Sequence, residues 1–403
     1  MKKRHLKAVF ASFLLASGVL AGCNAEKTET KEEKVKTEET KEETASETKE
    51  TEQAVEESTV SKQVEAYKVI KTEAEKAKED QPVDWELVSK TYKEQLQSAV
   101  SSMEGDFDQP IATAIEGAKS EELDANIARQ IIDKTTQSYF YQLQKSLQNE
   151  IVAALESGDT AKAEVLFEDI KYLAAEVFVP TAMKRDEYYQ MTGDASLEQN
   201  INSGLAAQEE ALKANNVDDF KVYIQLTDKS IYRSYYLASQ SYAEKIEAGV
   251  KEGKEELELK QQQAEAWGFL QAIKGSLSGG DEAAAARLDE LFSLDKTAVK
   301  DIKAEEVKML FTKAIIGKIK SYHEKAPMQL DENNITEARV KALEGNMFLK
   351  ALELELKEKL GEQKAQETFE VAEQWYNAIA ENKKDEAAKL SQTVLSTVEQ
   401  LVK

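Results

Sequence analysis

The sequence predicts an all-α fold: two related helical bundles from an internal duplication, following a disordered tether. Three observations predict it. Lys, Glu, Ala, Leu and Gln dominate, while only 4 Pro and 16 Gly occur in 403 residues, a composition that favours helix throughout. From Ser61 onward apolar residues recur at helical spacing in long segments, and no stretch alternates in the manner of a strand. Short matches also recur in the same order in the two halves of the chain.

The first segment, 1–22, reads as an address. Lys2, Lys3, Arg4 and Lys7 precede an apolar run from Ala8 to Leu20. That run is too short to cross about 30 Å of hydrocarbon as a helix, and it has the proportions of a secretory signal. It closes on Leu20-Ala21-Gly22-Cys23, which resembles the lipobox read by lipoprotein signal peptidase. The resemblance implies cleavage before Cys23 and a diacylglyceryl group on its thiol. The chain would then sit at the extracytoplasmic face of a cytoplasmic membrane, in an envelope of the Gram-positive kind. Each buried methylene adds about 0.8 kcal/mol, so two acyl chains anchor stably. Cys23 is the only cysteine, so no intramolecular disulfide staples the exported domain, which must hold by packing alone.

Residues 23–60 follow as lipid anchor and tether. Between Asn24 and Val60 stand 13 Glu and 6 Lys, interleaved with Thr and almost no large apolar residue. Such a stretch buries too little surface to offset its ordering entropy, which predicts disorder. Fully extended it would reach roughly 120 Å, a length suited to lifting a domain through a thick wall.

In the first bundle, 61–246, helices are predicted at 62–79, at 84–102 with Asp84 as cap, at 110–118 and at 122–156. Two more follow, at 160–178, ended by Pro180, and at 196–244, broken near Asn215-Asn216. The second bundle, 247–403, has helices predicted at 255–277, 281–292, 303–325, 336–360, 363–381 and 384–402. The matches between halves pair Gln63-Val64-Glu65-Ala66-Tyr67 with Gln263-Ala264-Glu265-Ala266-Trp267. They also pair 161–165 with 336–340, each after a polar turn, and Ala214-Asn215-Asn216 with Ala380-Glu381-Asn382.

The formal charge is −23, and without the four signal residues it becomes about −27. A surface that acidic repels nucleic acid and attracts cations or basic partners. Nucleic-acid binding is excluded on that ground. Side-chain catalysis has few candidates. Once the signal leaves, His323 is the only histidine, and no thiol is free. Neither a Ser-His-Asp nor a Cys-His constellation has its parts, and no glycine-rich phosphate loop occurs. His323 stands just before Pro327, where a helix end would favour an imidazolium. The chain is therefore not expected to be an enzyme.

Carboxylates remain, and hard cations take oxygen ligands. Glu168 and Asp169 share the helix 160–178, and Glu187 lies beyond Pro180 beside Tyr188-Tyr189. Asp133 lies on the long helix near Tyr139-Phe140-Tyr141. Asp133, Tyr139, Glu168, Asp169 and Glu187 form the candidate metal set, for iron or another hard cation. The same residues also suit solvated helix faces and an aromatic core, and both readings stand. The segment Ile131-Ile132-Asp133-Lys134 with Tyr139-Phe140-Tyr141 resembles the extracytoplasmic iron-assimilation proteins of algae and bacteria. That resemblance implies iron capture at Asp133 and the nearby tyrosines. The second half departs from it, with Thr312-Lys313 where Asp133-Lys134 would have its counterpart. The Gly-x-His-x-x-Glu motif of imelysin-type iron-uptake lipoproteins is absent.

Together these features predict a membrane-anchored, non-enzymatic binding lipoprotein that captures a metal cation for a membrane permease. The alternative is an envelope structural or interaction protein that contacts a partner through its helix faces. Carboxylates converging inside a bundle favour the first, and an exposed apolar groove favours the second.

Overall fold

The computed structural model describes residues 58–403, which are helix and connecting turn with no strand among them. The signal segment, Cys23 and all but the end of the tether lie outside the described residues. The folded part begins earlier than position 61. Helix α1 spans Thr59–Glu75 and buries Val60. Ser58 caps it by accepting from the Ser61 backbone N–H. Its hydroxyl also donates to Asp169 Oδ1 at 2.6 Å, fastening the start of the helix to a distant element.

Capping side chains set half of the helix starts, among them the Asp84 cap expected from the sequence. Asp84 caps α2 (Trp85–Thr91), which runs through a π-helical turn, Tyr92–Leu96, into α3 (Gln97–Ser102). After α4 (Asp108–Lys119), Asp124 accepts from two backbone N–H groups to start α5 (Ala125–Ser157). The helical path that begins with α6 (Thr160–Leu173) is not stopped by Pro180. A π-helical turn, Ala174–Phe178, passes directly into α7 (Val179–Tyr189). Pro180 falls in the first turn of that new segment, where a missing N–H costs little.

Helices α8 (Leu197–Lys213) and α9 (Val217–Glu252) follow, then α10 (Glu256–Ser278) and α11 (Glu282–Phe292). Helix α12 (Ala304–Asp331) runs past Pro327 and beyond its expected end at 325. The last four are α13 (Ile335–Ala351), α14 (Glu353–Leu360), α15 (Glu362–Ala380) and α16 (Lys384–Val398). The α5–α6 and α12–α13 turns share one geometry. A left-handed residue, Gly158 or Asn333, precedes a cap, Asp159 or Asn334, that accepts from the N–H three residues on.

The two halves share a core. Helix α9 is its axis: every residue from Leu226 to Ser241 is buried. Helix α10, from the second half, packs along both α5 and α9, and α13 packs along α9 as well. One apolar cluster therefore continues from Val60 to Val398. The boundary expected at 246/247 falls inside α9, and no separation of cores follows it. Among the described residues no helix is long and apolar enough to cross a membrane.

Candidate functional site

Helices that are buried on all sides must satisfy any polar residue they carry from within. Helix α5 carries Asp133-Lys134 at such a level, with Ile132 to Tyr141 all buried. Asp133 Oδ1 accepts from the Tyr67 hydroxyl of α1 and, at 3.0 Å, from Gln137 Nε2. Its Oδ2 lies 2.5 Å from Lys134 Nζ. The Lys134 ammonium also stands 5.2 Å from the ring centroid of Phe269 on α10, a favourable cation–π distance. Thr181 of α7 donates to Gln137 Oε1 at 2.9 Å and holds that amide in place. Burial opposes ionisation of Asp133, but Lys134 and Lys71 with the hydrogen bonds outweigh it. The carboxyl is held well below its usual range.

A second cluster repeats this plan. Asp228-Lys229 on α9 pairs carboxylate with ammonium, and Lys229 stands 5.4 Å from the Phe348 ring centroid on α13. Tyr141 of α5 occupies the place of Tyr67, and burial with the charge of Asp228 pushes its hydroxyl pKa well up. A hydrogen bond between the two raises the Tyr141 hydroxyl and lowers the Asp228 carboxyl, as the Tyr67–Asp133 bond does in the first cluster. Lys71 lies 5.6 Å over the Tyr67 ring, and Lys145 lies 5.5 Å over the Tyr141 ring. One difference matters for charge. Glu344 joins the second cluster, 3.1 Å from Lys229 Nζ and 2.5 Å from the Tyr322 hydroxyl. Its counterpart Glu265 accepts from Gln130 at 2.6 Å and bonds to Tyr242, with no lysine of the described residues within 4.0 Å.

Each cluster opens on further lysines. Burial lowers the pKa of Lys184 on α7, and Lys134, Lys71 and Lys78 lower it further. At the second cluster burial lowers Lys318 of α12 to about 8, and Lys229, Lys325 and Lys145 act in the same direction while Glu344 opposes.

No protein-family model, curated protein or solved structure matches this chain.

The candidate metal residues are not brought together. Asp133 is enclosed by Tyr67, Gln137 and Lys134, which engage both of its oxygens. The Tyr139 hydroxyl donates to Gln63 Oε1 at 2.8 Å inside the core. Glu168 is exposed and pairs with Lys171 at 2.6 Å, Asp169 accepts from Ser58, and Glu187 faces solvent on α7. No group of three His, Cys, Asp or Glu side chains suited to a metal ion occurs among the described residues. The second Asp-Lys pair stands at 228–229, not opposite Thr312-Lys313. His323 is not at a helix end. It is buried inside α12, and burial pushes its pKa down to about 3, which keeps the imidazole neutral.

The repeated cluster was visible in the sequence. Gln-x3-Tyr-x3-Lys occurs at 63–71 and 137–145, and Asp-Lys-[Thr/Ser]-x4-[Phe/Tyr]-Tyr at 133–141 and 228–236. Glu-x3-Phe-Leu-x-Ala occurs at 265–272 and 344–351. These signals match α5 with α9 and α10 with α13, a different register from the half-to-half matches.

Proposed function

We propose that this chain is a lipid-anchored, extracytoplasmic binding protein whose recognition elements are the two matched clusters. One observation carries the reading. Each cluster combines a rigid, hydrogen-bonded floor of buried Tyr, Asp and Lys with a rim of lysines that reaches solvent. Preorganised polar groups at the edge of a packed apolar interior are what small-ligand recognition requires. The lipobox sequence ending at Cys23 supports the anchored location, with a membrane permease or envelope protein as the receiver.

The cation version of this reading would need carboxylates that the fold holds apart. The helix-face alternative gains little. Exposed large apolar residues such as Val69, Leu87, Val165, Met183, Leu257 and Met309 are scattered over α1, α2, α6, α7, α10 and α12. Purification from the native envelope, followed by native mass spectrometry and elemental analysis, tests the proposal. A retained small ligand is expected. A bare chain that instead cross-links to one envelope protein through an outer helix face would replace it with the alternative.

A further inference from the structure

Tyr67, Tyr141 and Tyr236 hold equivalent places in the repeated motifs, and all are buried. Each gives its hydroxyl to a buried carboxylate: Tyr67 to Asp133, Tyr141 to Asp228, and Tyr236 to Glu355 Oε1. In the first two groups the next residue supplies a counter-ion, Lys134 at 2.5 Å from Asp133 and Lys229 beside Asp228. Glu355 is followed by Leu356 instead. Apart from Tyr236 and its own backbone N–H, it meets no donor among the described residues, and its Oε2 is buried without a partner. The two cations whose charge acts on it are held elsewhere, Arg233 by Glu353 at 3.1 Å and Lys308 by Glu358. A buried carboxylate without a counter-ion is costly.

Glu355 lines a cavity of about 390 Å³ between α12 and α14, a size that suits a small ligand. The most buried residues of its lining are Thr312 and Glu355, each 4 % exposed. Phe311, next to Thr312, packs edge-on to Tyr236 with ring centroids 5.0 Å apart, which fixes the hydroxyl that Glu355 accepts from. Met309, Leu401 and Val402 give the cavity an apolar side. Three glutamates and three lysines line it, so its outer charges select neither sign and the free oxygen of Glu355 decides.

We propose that this cavity binds the primary ammonium group of a small organic amine, which takes at Glu355 the place that Lys134 takes at Asp133. An ammonium brings three donors, and Oε2 of Glu355 and the Thr312 hydroxyl are acceptors for it. A hard metal ion suits the cavity poorly. It takes about six or more oxygen ligands, and no three acidic side chains of the described residues are grouped for one. The site is separate from the two matched clusters and does not depend on their function.

Thermal melts of the whole chain with n-butylammonium chloride test this, with 1-butanol and sodium chloride as controls. Butylammonium should raise the melting temperature, because a ligand of the folded state stabilises it, and neither control should. Glu355→Gln keeps the shape of the side chain and an acceptor for Tyr236. It should weaken the apparent affinity for butylammonium about tenfold, the worth of one charge-assisted contact. Met309→Trp fills the cavity from an exposed position and should weaken binding without touching Glu355. Circular dichroism checks that each variant is folded. No shift with butylammonium, an equal shift with butanol or sodium chloride, or a shift unchanged in either folded variant overturns the proposal. Each of these outcomes leaves the reading of the two matched clusters as it stands.

Discussion

His323 lies flat against Trp375, with ring centroids 3.7 Å apart and planes 7° from parallel. Its Nδ1 is 2.8 Å from Ser391 Oγ, and Nε2 is buried with no partner. Burial pushes the pKa down to about 3, so the folded chain refuses a proton that the unfolded chain accepts below about 6.5. The stability this protects is present above that pH and is lost as pH falls towards 3. Between pH 7 and pH 5 the loss from this one group is about 2 kcal/mol. Urea unfolding at both pH values should show it in the native chain and not in His323→Asn. Equal losses in the two proteins would refute the assignment.

Asp133 and Lys134 are a buried pair, and removing one charge strands the other. Asp133→Asn is expected to destabilise the fold by about 3–5 kcal/mol. Adding Lys134→Met should return much of that loss, because no unpaired ammonium remains. Chemical denaturation of both variants measures the coupling, and additive effects would show that the pair does not act as a unit.

Gly268 allows α10 to approach α5 at the first cluster. A Cβ placed there would lie 2.4 Å from Lys134 Cβ, and Ser138 already donates to the Gly268 carbonyl at 2.7 Å. Gly268→Ala must therefore push the helices apart, at a cost of about 1–3 kcal/mol. Its thermal melt should fall, while that of Gly275→Ala, where nothing crowds the added methyl, should not.

The start of the folded part is decided by Ser58. Ser58→Ala loses the cap of α1 and the bond to Asp169, for about 1 kcal/mol. A chain shortened to begin at Glu57 should melt with the full protein, whereas one beginning at Ser61 should melt lower. Identical melting of all three would mean that α1 needs no cap.

The anchor is tested by Cys23→Ala. The variant should accumulate as uncut precursor or appear in the medium. Recovery in the membrane fraction at the mature mass would remove the lipid anchor from the proposal.

Much of the architecture was legible from residue order. Asp84 and Asp159 announce helix starts because a short side-chain acceptor satisfies N–H groups that the helix leaves open, whereas Asp124 caps a helix that the sequence reading began at 122. Gly158 and Asn333 announce ends because they tolerate a left-handed backbone. Proline misled. Pro180 and Pro327 read as stops, yet a π-helical turn lets α6 pass into α7 at the first, and α12 continues through the second. Helix α7 was therefore missed, and with it Thr181 and Lys184.

Sequence alone determined the helical class, the acidic balance and helix starts such as the Asp84 cap, because each depends on composition or on neighbours a few residues away. Only the tertiary structure decided the partners of Asp133, Asp228 and His323. Tyr67 lies 66 residues from Asp133 in the chain, and periodicity says which face of a helix is inward but not which helix meets it. That choice is made by packing around α9, which sets Asp133 between Tyr67 and Lys134 and leaves Glu168 and Glu187 in water.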